Sequence, residues 1–576
     1  MTARPVCSVL LVVCAATAGA RASAHDLLAQ GRTEGGGWGV FSPPSDQLSD
    51  GARTLIQSQI QANIVRLRAE GRLAAPLKAA TPLFSWPVRA ADGIPVATTY
   101  GISNFVDHDP ALNSVIDFAC GTRTYDLVGG GHRGTDIFPV YGWRKLDNEE
   151  AVVVAAAPGT IVFKQDGNQD RTCGNLATMS ADATQWNAVF LRHADGSVSW
   201  YGHLKKDSLT PKKIGDPVAE GEFLGAVGSS GLSSGPHTHF EVYDSSNTLI
   251  DPWVGACNPS TRTTWWKDQP PYFDPQIVQL MPSKSDPATA NFTPPCDAVT
   301  HTAAVVPQSY FLQPDYYFAA GDTIHSIAFV RDVQPGATIA FTLKRPNGTV
   351  LVASAQTSSQ PYFAGGYFYS SVVLPAGAPA GQWSVDVTFA GHTQTMPFFV
   401  GFTNPAAAMV RVFDFHNSGL DHFFRTANPA EAASVDAGAA GPGWLRTGDD
   451  FIAFARDAAG YGASAVCRFY GSVSPGPNSH FYTGAPGECN GLKQLQQSIP
   501  DNQPRWNYEE IAFGILLPVA GVCPQQAPVP VYRLYNNRFA QNDSNHRYTT
   551  KSSAYFQQAA LGWAPEGPVM CASARP

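Results

Sequence analysis

The sequence predicts a mostly β, multidomain protein, and three observations predict it. The chain has 576 residues, several times the roughly 100–200 that one domain occupies. Its 53 glycines and 45 prolines, with charged side chains at only 15%, make a turn-rich text that favours short strands over long helices. From Phe84 onward, short apolar runs such as Val152 to Ala157 and Val189 to Arg192 are separated by Gly, Pro and Asp turns, the pattern of successive strands. A formal net charge of −8, with no block of five like charges, leaves no footprint for phosphate backbones or anionic lipid. Nucleic acid is not an expected partner.

Taken in order, residues 1–24 read as a signal peptide: Arg4 gives the positive start, Val6 to Ala18 the apolar run, and Ala22-Ser23-Ala24 a small-x-small cleavage pattern. That run is too short to cross a bilayer, and no later one reaches the ~18 residues required. The mature chain is expected to be secreted, into the extracellular space or the periplasm. Residues 25–81 hold one amphipathic helix, Asp50 to Leu73, with Leu55, Ile56, Ile60, Ile64, Val65 and Leu67 on a helical period and Asp50 as its cap. It reads as a prosegment or a strut.

Residues 82–265 form the strand-rich segment that carries the chemistry, and Pro-rich residues 266–300 read as a linker. Between 301 and 402 the strands alternate cleanly, as in Ile339 to Leu343, and Asn347-Gly348 marks a hairpin whose two turn positions both require positive φ. An immunoglobulin-like β-sandwich is expected there. Residues 407–576 contain a three-copy β repeat. Val466 to Tyr470, His480 to Thr483 and Arg505 to Glu509 recur as Val531 to Tyr535, His546 to Thr549 and Gly562 to Glu566, with a weaker first copy through Val410, His422 and Trp444. The aromatics read as repeat core or, alternatively, as a wall- or sugar-binding face.

Of ten cysteines, Cys7 and Cys14 lie in the leader, which leaves Cys120, Cys173, Cys257, Cys296, Cys467, Cys489, Cys523 and Cys571. No C-x-x-C pair exists, against a cysteine-bound zinc or a redox site. Disulfides are expected, with Cys120–Cys173 and Cys257–Cys296 as the pairs in the first half.

Three motifs carry the chemistry. His132-Arg-Gly-Thr-Asp136 puts an imidazole and a carboxylate four residues apart after a glycine-rich loop. Tyr201-Gly-His203-Leu204 follows an apolar strand. Ser233-Ser-Gly-Pro-His237-Thr-His239-Phe-Glu241 places two histidines two apart on a strand, so both project from one face. Two imidazoles buried side by side without partners would each cost ~1–3 kcal/mol, and a shared metal ion is the economical answer. Tyr201 reads as packing, His108 as a bystander between two aspartates, and His422, His480 and His546 as repeat packing.

On these residues the chain resembles the lysostaphin-type (M23) zinc metalloendopeptidase family, whose H-x-x-x-D, Y-x-H-L and S-x-G-P-H-x-H-F-E signatures occur here in family order. Asn187-Ala-Val189 and Val218 to Gly225 are similar to further family patterns. The resemblance covers roughly residues 82 to 260 and departs in an insertion, Asp166 to Gln185, and a lengthened loop, Leu127 to Gly131. It implies an antiparallel β core with an open groove, Zn2+ held by His132, Asp136 and His239, and His203 and His237 as unligated catalytic histidines. Either His203 or His237 then takes the proton of a water while the other donates a hydrogen bond to the developing oxyanion. The implied substrate is a peptidoglycan cross-link or another Gly-rich peptide. The alternative is a non-catalytic wall- or carbohydrate-binding protein whose zinc site is structural.

Overall fold

The computed structural model describes residues 36–45, 48–76, 81–96, 98–127, 130–176, 179, 186–402, 408–456, 461–471 and 476–574. The signal peptide expected at 1–24, and with it Cys7 and Cys14, lies outside the described residues.

The helix α1 runs Asp50–Ala69, shorter than its apolar period suggested. Its cap is Ser49 rather than Asp50: the Ser49 hydroxyl accepts from the Ala52 N–H at 3.3 Å, and Asp50 is the first helical residue, where its charge suits the positive end of the helix. Ile56, Ile60, Ile64 and Leu67 are buried against Val162, Phe163, Phe190 and Trp200. Leu55 and Val65, expected on the same stripe, are 47% and 66% exposed, because each sits about 100° around the axis from the buried row.

The central sheet is antiparallel and has eight strands. Its order is Pro217–Val218, Gly159–Gln165, Ala188–Arg192, Val198–Gly202, Thr238–Tyr243, Thr135–Pro139 and Tyr100–Asn104, with Leu249–Ile250 also paired to Thr238–Tyr243. Both faces of its middle are covered, so Ala188–Arg192, Val198–Gly202 and Thr238–Tyr243 are buried throughout. Phe240, Val242 and Tyr201 pack with Val153 and Leu224 of a second, three-stranded sheet. Trp200 and Tyr243 pack on the other side, with α1.

The sandwich draws in segments that the sequence had assigned elsewhere. One of its sheets is Gly36–Val40, Phe363–Val373, Thr323–Val333 and Gln276–Ser283. A strand from the expected N-terminal helical segment 25–81 and one from the expected linker 266–300 thus become its edges. Pro and Ser density read as linker because an edge strand tolerates Pro where its N–H would face solvent. The other sheet holds Thr338–Lys344, Val350–Thr357, Gly381–Phe389, His392–Val400 and Tyr317–Phe318. In the Asn347-Gly348 hairpin Gly348 has φ +81° and Asn347 does not have positive φ. Pro346 starts a turn closed by the Gly348 N–H on Arg345 O at 2.9 Å, in which only the last position needs glycine.

Among the described residues the C-terminal region has three strand–strand–helix–strand units, the first with its last strand split into Trp444–Arg446 and Phe451–Phe454. They begin at Met409–Asn417, Ser464–Gly471 and Val529–Tyr535, and their helices are Pro429–Asp436, Pro486–Ser498 and Ser552–Ala560. A hydrogen-bond ring joins them. Tyr482 donates to Arg425 O at 2.6 Å, Tyr548 donates to Tyr482 O at 2.6 Å, and the Arg425 guanidinium closes the circle on Tyr548 O. Tyr482, Tyr548 and Phe469 are buried, as repeat core should be. The third unit docks on the central domain, where Phe556 stacks on Phe223 at 4.7 Å and the Ser553 N–H donates to Glu149.

The disulfides correct the expected pairing: Cys120 joins Cys257 and Cys173 joins Cys296, with Cys467–Cys489 and Cys523–Cys571 in the repeats. Backbone register decides the first two. The Cys257 N–H donates to Phe118 O at 2.9 Å, and the Cys173 N–H to His301 O at 3.0 Å, so each cysteine lies beside a segment distant in sequence.

Candidate metal centre

His132 precedes the strand Thr135–Pro139, on which Asp136 sits, and the neighbouring strand Thr238–Tyr243 pairs His239 directly opposite Asp136. One ligand-capable atom from each of the three lies within 4.8 Å of the others, and all three side chains are buried. Asp136 Oδ1 is 3.1 Å from His132 Nε2 and 2.9 Å from His239 Nδ1, while the two nitrogens are 3.2 Å apart.

The outward nitrogens show which atoms face the centre. His132 Nδ1 is 2.7 Å from Phe105 O, a pure acceptor, so that nitrogen carries the proton and Nε2 turns its lone pair inward. His239 Nε2 is 2.7 Å from Glu241 Oε1, which leaves Nδ1 as the inward lone pair. Two nitrogen lone pairs and a carboxylate oxygen facing one another repel unless a cation lies among them. The donor set therefore fits a divalent ion with nitrogen and oxygen ligands. Gly134 makes the approach feasible, since a Cβ there would come within 2.6 Å of the His239 ring and 2.8 Å of Phe240 O.

His203 and His237 stand beside this triad, their rings 4.4 Å apart, and His203 is 6.1 Å from the His239 ring. His203 has φ +57°, a left-handed residue directly after the strand Val198–Gly202. Its Nδ1 donates to Ser230 O at 2.5 Å, and His237 Nδ1 donates to Gly235 O at 2.8 Å. Both therefore direct Nε2 inward, and His237 Nε2 is 3.7 Å from Asp136 Oδ1. All five sequence-predicted residues are thus brought together. Tyr201 is not among them: its hydroxyl accepts from the Ala156 N–H at 2.9 Å, inside the core. His108 binds Asp251 at 2.8 Å.

Sequence reasoning missed what surrounds the five. Trp186 packs 4.8 Å from the His203 ring and 5.9 Å from the His239 ring. Residues 41–45 are strapped across, with the Ser45 N–H on Ser234 Oγ at 2.8 Å, the Ser234 N–H on Ser45 O at 2.9 Å, and Asn104 donating to Pro44 O at 3.0 Å. A cavity of about 510 Å³ lies against this strap and the Ser234-Gly235-Pro236 turn, walled by Tyr141, Trp143 and Phe292. Glu241 was legible as the residue two beyond His239 on the same strand face. Burial alone would raise its pKa, but the Arg53 charge and the His239 hydrogen bond outweigh that and hold the carboxyl at about 2.

Comparison with known proteins agrees with the motifs. A family model described as Peptidase family M23 matches residues 130–252, and one described as a domain of unknown function matches 408–573. Lysostaphin of Staphylococcus staphylolyticus is 34% identical over 156 residues, which cover 24% of this chain and 28% of that protein. The glycyl-glycine endopeptidase ALE-1 of Staphylococcus capitis is 32% identical over 142 residues, covering 23% and 38%. The DD-carboxypeptidase/endopeptidase Mpg of Neisseria meningitidis serogroup B is 46% identical over 56 residues, covering 10% and 12%. The chain thus spans little more than a quarter of the length of the lysostaphin it matches.

Proposed function

We propose that this chain, which carries a domain of peptidase family M23 across residues 130–252, is a secreted zinc metalloendopeptidase acting on peptidoglycan cross-links or other Gly-rich peptides. The observation that carries the reading is the convergence of His132, Asp136 and His239 on one buried point, with two further imidazoles beside it. His132 Nε2, Asp136 Oδ1 and His239 Nδ1 are the atoms that would hold zinc. Zinc held there would supply Lewis acidity toward a scissile carbonyl and a water. His203 and His237 serve the proton: each has its Nδ1–H anchored on a backbone carbonyl, so its Nε2 can accept a proton from the attacking water or, once protonated, give one up. His237 Nε2 lies 3.7 Å from Asp136 Oδ1, which sets it beside the centre. Trp186 keeps bulk water off this pair and so strengthens each charge interaction.

Export is supported by the leader pattern and by four disulfides, which persist in oxidising compartments. Among the described residues no helix is long and apolar enough to cross a membrane. The substrate class follows the activities for which the relatives are named, a glycyl-glycine endopeptidase and a DD-carboxypeptidase/endopeptidase. Mass spectrometry of products from defined muropeptides tests it. New amino termini within the peptide stems or bridges are expected from the wild type and not from His239→Ala; intact muropeptides after prolonged incubation with zinc-loaded protein would count against it.

A further inference from the structure

Among the buried residues of α1, Arg53 is the odd one. It shares a face with Ile56, Ile60, Ile64 and Leu67, yet it carries a guanidinium and is 6% exposed. A charge is expensive to bury, and it persists where partners hold it. The partners are on the strand of the metal centre. The Arg53 Nη1 donates to Glu241 Oε2 and, at 2.6 Å, to the Tyr243 hydroxyl, which itself donates to Glu241 Oε2 at 2.7 Å. The guanidinium lies over Trp200, 5.6 Å from the ring centre. Glu241 is 1% exposed, and its other oxygen, Oε1, accepts from His239 Nε2 at 2.7 Å.

Strand periodicity explains the alignment. His239, Glu241 and Tyr243 alternate onto one face of Thr238–Tyr243, the face that α1 covers. Arg53 and Tyr243 occupy Oε2 and so turn Oε1 onto the ring nitrogen of His239. That contact fixes both the ring plane and the inward direction of Nδ1. We propose that Arg53 is a positioning residue for the metal centre: through Glu241 it holds His239 in the orientation and tautomer that a zinc ligand needs. Arg53 lies outside residues 130–252 matched by the family model, and its contact with Glu241 makes α1 a working part of the site rather than a removable prosegment. A second contact of the helix, Arg133 on Asp50 at 2.8 Å, ties it to the loop between His132 and Asp136.

The inference rests on the zinc reading above, and the experiment separates the two. Zinc affinity of the full chain is measured by competition with a chromophoric chelator, alongside thermal unfolding of the metal-free protein. Outer-shell partners of metal-bound histidines are worth about 10–100-fold in affinity, so Arg53→Met, which suits the apolar stripe, should weaken zinc by roughly that factor. Arg53→Lys, which keeps the charge but not the planar fork, should fall between Met and wild type. Ile60→Ala, buried on the same helix face but in contact with neither Glu241 nor His239 in any hydrogen bond, should lower the unfolding temperature and leave zinc affinity within about threefold. Should Arg53→Met prove too unstable to purify, Arg53→Lys and Ile60→Ala still decide the matter. Zinc bound by Arg53→Met or Arg53→Lys as tightly as by wild type overturns the inference alone, as does an Ile60→Ala loss as large as theirs. A wild-type chain that binds no zinc overturns the functional reading and this inference together.

Discussion

His237→Ala removes an imidazole that the zinc reading assigns to proton transfer or to hydrogen bonding of the oxyanion, and not to holding the metal. The ring donates to Gly235 O at 2.8 Å and its Nε2 lies 3.7 Å from Asp136 Oδ1, too far to share the close contacts that join His132, Asp136 and His239. A positioned acid or base contributes about 10²–10⁴-fold to rate, which at 1.36 kcal/mol per tenfold is about 3–5 kcal/mol of barrier. The expected result is a loss of that size in kcat, with KM near the wild-type value and zinc content unchanged. His203, whose ring is 4.4 Å away, should behave alike, and if the two act on one proton path the double variant should cost far less than the sum of the two losses. The assay is steady-state cleavage of a fluorogenic Gly-rich peptide, with zinc quantified in each preparation. A His237→Ala enzyme that keeps its zinc and turns over within about threefold of wild type would refute the assigned role, and one that loses zinc would show that the side chain belongs to the ligand set.

Three other outcomes follow. Gly134→Ala places a Cβ within 2.6 Å of the His239 ring, so zinc should be lost from a chain that still exports and folds, which metal analysis and circular dichroism would report; normal zinc content would contradict the packing. Replacing both Cys173 and Cys296, which close a loop of 123 residues, should cost roughly 4–5 kcal/mol in denaturant unfolding by the chain-entropy relation, and no loss would mean that the insertion around Cys173 is held by its other contacts. His480 and His546 have pKa values held down from 6.5 to about 3, by burial first and then by the charges of Arg468 and Arg533. The unfolded chain binds those two protons as pH falls through 6.5 and the folded one only near 3, so the repeat array should be most stable above ~6.5 and lose stability in that window. Asp414, pushed up to about 6 by burial, has the opposite sign below that pH, and a His480→Gln/His546→Gln variant should therefore flatten or reverse the decline in unfolding temperature.

The centre was legible because its signals are local. His237 and His239 share a face by strand period alone, and Gly134 sits where the backbone must approach the His239 ring. The strings around Tyr482 and Tyr548 are local in the same way, and both side chains are buried. What could not be read is whatever depends on distant segments meeting. Gly36–Val40 and Gln276–Ser283 become edges of a sandwich whose other strands begin some forty residues or more further on, and no local pattern marks an edge strand as belonging to one sheet. The disulfides fail for that reason too: Cys120 and Cys173 are each drawn to a partner by register with a segment more than a hundred residues away. Arg53 left a faint trace, as the charged member of an otherwise apolar helical row. Its meaning appears only once the strand carrying Glu241 lies beneath it.

Zinc stoichiometry of the purified secreted chain, measured by elemental analysis for wild type, His132→Ala, Asp136→Ala and His239→Ala, bears on the central claim most directly. The account predicts one zinc per wild-type chain, little or none in each variant, and peptide cleavage that disappears on chelation and returns with added zinc. Full cleavage by metal-free protein, or an unchanged zinc content in all three variants, would contradict it.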